Sequence, residues 1–300
     1  RDSAGVARRV QGQWVNDSSL LSPEEFRDVW AISASLAYAA GDNGTLARWD
    51  GKTWSLIDLG ATKSLYGVWA ASPNDVFVSS RSGTVYHWDG MSWTPTAIAG
   101  ALDLRFLRGV SANDIYVAGG NYNSPKLYHF DGRDWTEVTL PAKLANLNEF
   151  WIDPATSTLV VVGNTEPDGT GVFRRAPTET DWTELTTSLF TAVQTVSGNS
   201  LTDLYVATSN DIYRYNGTDW THACSNPTNG YYTSIWARAT DDVWAVGDDS
   251  LIQHFDGKAW SVVQSRKPGA EFYAIHGSSP TDVIVVGESG NILRYGPLGQ

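Results

Sequence analysis

A tryptophan returns along the whole chain at a nearly fixed interval. Trp14, Trp54, Trp93, Trp135, Trp182, Trp220 and Trp260 are separated by 40, 39, 42, 47, 38 and 40 residues. A beat of this length fits four short strands, which is one blade of a propeller. Other positions keep the same beat. Before each tryptophan comes an alternating strand closed by a turn: ARWDG (47–51), YHWDG (86–90), YHFDG (128–132), YRYNG (213–217) and QHFDG (253–257). Asp-Gly and Asn-Gly between alternating strands predict tight hairpins in which both turn residues take positive φ. Earlier in each copy, apolar runs end at Gly41, Ser80, Gly119, Gly163, Thr208, Gly247 and Gly287. The fourth copy departs, with FRRAPTETDW (173–182) carrying a longer turn.

Counting first strands gives seven copies: Val29-Trp30, Val68-Trp69, Leu107-Arg108, Phe150-Trp151, Val196-Ser197, Ile235-Trp236 and Ile275-His276. The seventh, Phe272 to Tyr295, lacks a fourth strand, while Trp14 near the start is in phase to supply one. The predicted fold is therefore all-β: residues 1–300 as a single seven-bladed β-propeller, four antiparallel strands per blade, closed by an N-terminal strand. Closure removes exposed sheet edges. Val6–Val10 reads as a second copy of a third strand and has no place in this scheme.

The segments VWAASPNDV and HWDGMSW resemble a tandem repeat of predicted secreted proteins and lipoproteins of bacteria: Val-Trp-Gly-Ser-Ser-Pro-x-Asp-Val, then Val-Gly, then His-x-Asp-Gly-x-x-Trp. The resemblance covers essentially the whole chain and implies a propeller, but little about function. It implies an extracellular or cell-surface setting, with a lipid anchor conceivable on a removed N-terminal segment. Tyr86/Trp93, Tyr128/Trp135 and Tyr213/Trp220 are also similar to kelch spacing, although the kelch double glycine occurs only at Gly119-Gly120. The sialidase-type Asp box is not matched, because Asp and Gly are adjacent here.

The formal charge of −12 and the lack of a basic stripe argue against nucleic acid and against an anionic membrane surface. No apolar run approaches the ~18 residues of a membrane-spanning helix. The first residues carry no apolar signal region, so an export signal is expected to have been removed or never present. Cys224 is the one cysteine; His222, two residues away, would point the same way on a regular strand. That stretch has no nearby Lys or Arg to lower a thiol pKa.

Residues that repeat in every blade read as structural. His87, His129 and His254 share a third-strand position with Arg48, Arg174, Arg214 and Arg294. Asp75, Asp114, Asp203, Asp242 and Asp282 recur in the turn between the first two strands and could pair with them. The Asp-rich turns at Asp42-Asn43-Gly44, Asp168-Gly169 and Asp248-Asp249 lack the spacing of a calcium loop. No metal or other cofactor is expected.

What does not repeat is more informative. Three residues before the first-strand Trp position, identity is free: Arg27, Tyr66, Arg105, Asn148, Gln194, Thr233 and Tyr273. These seven are the candidate ligand-binding residues, ringing the channel mouth. Arg105 is expected to face the channel and clamp a carboxylate or sulfate, with Arg108, three residues on, pointing elsewhere. Tyr66 and Tyr273 would offer flat faces to a sugar or an aromatic group, and Glu149 would pair with an arginine. The expected function is a non-catalytic recognition module for a carbohydrate or protein partner. A glycoside hydrolase or lyase is the alternative, drawing a carboxylate pair from Asp28, Asp103, Glu149 and Glu271. A structural subunit of a surface assembly is the third.

Overall fold

Seven four-stranded antiparallel sheets stand around a central channel in this computed structural model, which describes residues 13–16, 24–167, 169–185, 192–228, 230–263 and 269–296. The chain is a seven-bladed β-propeller. The innermost strands are Phe26–Ser33, Leu65–Ser72, Phe106–Ser111, Glu149–Ile152, Thr195–Ser200, Tyr232–Ala239 and Phe272–Ser279. Blades 1 to 7 are numbered in that order. Val6–Val10 lies outside the described residues, as does Asp168.

The seventh blade is completed by Gln13–Asn16, which pairs antiparallel with Ile292–Gly296 and sets Trp14 opposite Tyr295. The tryptophan is 5% exposed, and its ring meets Tyr295 at 5.5 Å and Trp244 of blade 6 at 6.0 Å. Apolar side chains alternating along each strand pack against the next blade. One cluster joins Phe26, Val29 and Trp54 of blade 1 to Ala274, Ile284 and Ile292 of blade 7. The core is thus a ring of inter-blade layers, as expected when each sheet buries both faces.

The third-strand cations meet the recurring aspartates. Asp75 faces His87 at 2.6 Å, Asp114 faces His129 at 2.8 Å, and Asp242 faces His254 at 2.7 Å. Asp203 and Asp282 take Arg214 and Arg294. Each histidine also stacks on a second-strand ring, at 4.1 Å for Phe77 and His87. Blade 1 has Leu36 in place of the aspartate, opposite Ser33, and blade 4 pairs Arg174 with Glu179 instead.

The Asp-Gly hairpins differ from expectation. Only the glycine takes positive φ, at 95° for Gly51 and 90° for Gly90. The loop holds four residues, since Trp49 pairs with Trp54. Asp50 Oδ1 accepts the backbone N–H groups of Lys52 and Thr53, so the aspartate acts through its side chain as a turn-former.

Candidate functional site

The variable first-strand position is a β-bulge in blades 1, 2, 6 and 7. In blade 1, Phe26 pairs with Gly41 and Asp28 with Ala40, leaving Arg27 as the extra residue. Tyr66, Thr233 and Tyr273 are extra in the same way. In the other three blades Arg105, Asn148 and Gln194 precede the strand, and each donates its N–H to the carbonyl opposite the following residue: Ala118, Val162 and Ala207. A bulge bends the strand and re-aims a side chain. All seven candidates therefore line one depression of about 430 Å³ at the channel mouth, together with Phe106, Asn146 and Tyr231.

The second-strand glycines serve this geometry. A Cβ on Gly163 would lie 1.8 Å from the carbonyl oxygen of Asn146, and one on Gly247 would lie 2.1 Å from that of Tyr231. The chain entering each first strand passes directly over these glycines. The turn after the second strand is then stitched to that entering segment, as where Asp42 N–H donates to the Glu25 carbonyl at 2.9 Å. The mouth is a built rim of paired backbone.

Its chemistry is lopsided. On blades 7 to 3, arginine and tyrosine interleave. The guanidinium of Arg27 lies 4.8 Å from the Tyr273 ring centre and 5.6 Å from that of Tyr66, and Arg81 lies 5.5 Å from Tyr66. Arg27 pairs with Glu25 and with Asp42. Asp103 accepts from both Arg81 and Arg105, so two guanidiniums share one carboxylate. The Arg105 side chain remains half exposed. On blades 4 to 6 the variable positions are neutral. Asn148 donates to the Val193 carbonyl at 2.7 Å and Thr233 to the Val246 carbonyl at 3.2 Å, which binds them to structure. Gln194 makes no side-chain hydrogen bond among the described residues.

Two expectations need correction here. Arg105 and Arg108 both face the channel, at different depths, because the first strand is innermost and runs along it. Arg105 lines the mouth, and Arg108 reaches into the shaft to meet Asp28 at 2.7 Å and 3.1 Å. Glu149 forms no ion pair with either arginine. Its Oε2 accepts from Thr195 Oγ1 and from Val196 N–H, holding blade 4 to blade 5. Asp28 similarly accepts Val68 N–H, Ser197 accepts Ala237 N–H, and His276 Nδ1 accepts Ala31 N–H, each across a blade boundary. Burial pushes the Glu149 carboxyl up to about 7, with Arg108 and the Thr195 bond pulling the other way. Burial, aided by the nearby Arg108 charge, lowers His276 to about 3.

Of the candidate carboxylates for hydrolysis, Asp28 is engaged by Arg108, Asp103 by two arginines, Glu271 by the Tyr273 hydroxyl, and Glu149 through one oxygen by Thr195 and Val196. Among the described residues no group of three His, Cys, Asp or Glu side chains is placed to hold a metal ion. Cys224 and His222 do not act together. A bulge between them puts Cys224 opposite Ile212 and His222 opposite Tyr213. Burial lifts the thiol to about 11, while His222 Nε2 contacts Asp211 and Ser225 on the exposed outer strand.

Arg81 escaped the sequence reading. It follows the second strand, where blades 1, 6 and 7 place Asp42, Asp248 and Glu288. Aligning that turn across copies isolates the one arginine.

No family model matches the chain, and no curated protein matches it. Among solved structures, it is similar to YCF48 bound to D1 peptide, at 19% identity and TM-score 0.76 over 94% of this chain and 96% of that one. It is similar to a catalytically inactive virginiamycin B lyase from Staphylococcus aureus with quinupristin, at 12% identity and TM-score 0.78 over 95% and 99%. The WD40 β-propeller domain of Doa1 matches at 12% identity and TM-score 0.72 over 91% and 93%. At these identities the likeness is one of fold, and the fold hosts binding proteins and an enzyme alike.

Proposed function

We propose that the protein is a non-catalytic recognition module whose mouth face holds a carboxylate-bearing peptide segment of a protein partner. The observation that carries this reading is Asp103 shared between Arg81 and Arg105. Two guanidiniums share this carboxylate, and although the adjoining Glu25–Arg27–Asp42 group balances the total charge, the Arg105 guanidinium stays half exposed where it lines the depression. A partner carboxylate placed there gains charge-assisted bonds of about 1.5–3 kcal/mol. Leu102 and Tyr122, both exposed on the same blade, offer apolar surface beside it. Tyr66 and Tyr273 already have arginines over their rings, so their faces are engaged and sugar stacking on them is disfavoured at this mouth. A similar propeller fold holds a peptide in YCF48, in keeping with this proposal. A secreted or surface-attached setting belongs to the proposal and rests on the repeat resemblance.

Selection from a display library of peptides with free C-termini tests it. Selected peptides should bind the wild type, and both C-terminal amidation and Arg105→Ala should weaken them about tenfold or more. Selected peptides that bind Arg105→Ala as tightly as wild type would overturn the reading.

A further inference from the structure

The first strands run on from the mouth to the opposite end of the channel, where a second cavity of about 400 Å³ opens. Its walls include Trp30, Trp69, Trp151 and Trp236, one indole from each of four blades. The pattern breaks at three copies, where Arg108, Ser197 and His276 stand at the Trp position. Trp30 is covered by His276, stacked at 3.9 Å, and has Arg108 over it at 5.6 Å. Trp151 and Trp236 are partly exposed residues, as Trp30 is, and the Trp236 ring also lies 5.2 Å from that of His276.

Polar groups converge on this apolar box. His276 Nδ1 accepts the Ala31 N–H, so in the neutral ring Nε2 carries the proton and is a donor. That Nε2, the Oε1 of Glu149 and the Nε of Arg108 make no hydrogen bond among the described residues. Arg108 and Asp28, paired through two bonds, cancel each other's charge. The free set thus mixes donors with an acceptor inside an aromatic wall.

We propose that this end of the channel is a second binding site, for an uncharged sugar ring. A sugar presents a flat apolar C–H face, suited to the exposed surfaces of Trp151 and Trp236. Its hydroxyls both donate and accept, so one ring can serve the Nε2–H of His276 and the carboxyl of Glu149 together. An apolar pocket with a few convergent polar groups is the common form of a small-molecule site. Burial holds His276 neutral and draws Glu149 toward its neutral form, and a charged ligand would meet the same desolvation cost there. Glu149 alone also borders the mouth depression; the rest of the lining is distinct, and the site does not rest on the peptide reading.

Saturation-transfer NMR on the full chain, with the methyl glycosides of glucose, galactose, mannose and N-acetylglucosamine at millimolar concentration, tests the proposal. At least one neutral glycoside should give saturable transfer, with glucuronate and glucosamine much weaker. Trp151→Ala and His276→Asn, on different blades, should each weaken binding about tenfold. Should either variant fail to fold, the other and the charged analogues still decide. No transfer from any of the four neutral glycosides would overturn the proposal. So would equal binding of the charged sugars, or binding unchanged in a folded variant.

Discussion

Replacing Trp14 with alanine probes the ring closure directly. The indole is almost wholly buried between Tyr295 of its own blade and Trp244 of the next. Truncating a buried Trp costs about 3–5 kcal/mol, and each aromatic pair adds about 0.5–1.5 kcal/mol. A limit applies, because the closing strand is only four residues long and can detach. The loss cannot exceed the free energy with which Gln13–Asn16 docks, so the lower end, about 3 kcal/mol, is expected. The Trp14 Nε1 has no hydrogen-bond partner among the described residues. Trp14→Phe therefore loses no hydrogen bond to a described residue but leaves a smaller cavity, and should cost less than Trp14→Ala, about 1–2 kcal/mol. Urea unfolding followed by far-UV circular dichroism measures both. A Trp14→Ala midpoint equal to wild type would refute the closure energetics.

Three further outcomes follow. His129→Ala removes the Asp114 bond and the stack on Tyr116, and should lower stability by about 1–3 kcal/mol while leaving peptide binding intact; denaturation and a binding isotherm on the same sample check both. Glu149 is raised in the folded chain, so its contribution is present below the unfolded carboxyl value and is lost as pH rises through about 7. Glu149→Gln should therefore be more stable than wild type at pH 8 and close to it at pH 4, and an unchanged difference across that range in pH-dependent unfolding would argue against the buried carboxyl. Gly163→Ala sets a Cβ against the Asn146 carbonyl and must shift the rim of blade 4, so where a compatible Gly-to-Ala change stabilises by about 0.4–1 kcal/mol this one should destabilise by more than that, as a thermal melt will show.

The sequence held the blade count, the closing strand and the mouth ring in readable form, because each depends on a repeated local pattern. Trp14 in phase is visible without coordinates, and so is the freedom of identity at Arg27, Tyr66 and their counterparts. The bulge that explains this freedom was not readable. It appears only when two strands are paired and one residue is left over. The same device misled the pairing of Cys224 with His222, since strict alternation fails across a bulge. The Asp-Gly loops were placed correctly but given the wrong geometry, because Asp-Gly opens two-residue and four-residue loops alike and the pairing of Trp49 with Trp54 decides between them. The shaft cluster of Asp28, Arg108, Glu149 and His276 depends on contacts across blade boundaries, some between residues 80 apart in sequence, which no local pattern signals.

The central claim is that recognition occurs at the bulge-lined mouth. Hydrogen–deuterium exchange of the chain with and without a selected peptide acid measures this most directly. Protection should appear where the chain enters the first strands of blades 1 to 3, around Arg27, Tyr66 and Arg105, and in the turn at Arg81. Protection confined to the Asp-Gly turns at Asp50, Asp89 and Asp131, on the opposite face, would contradict it.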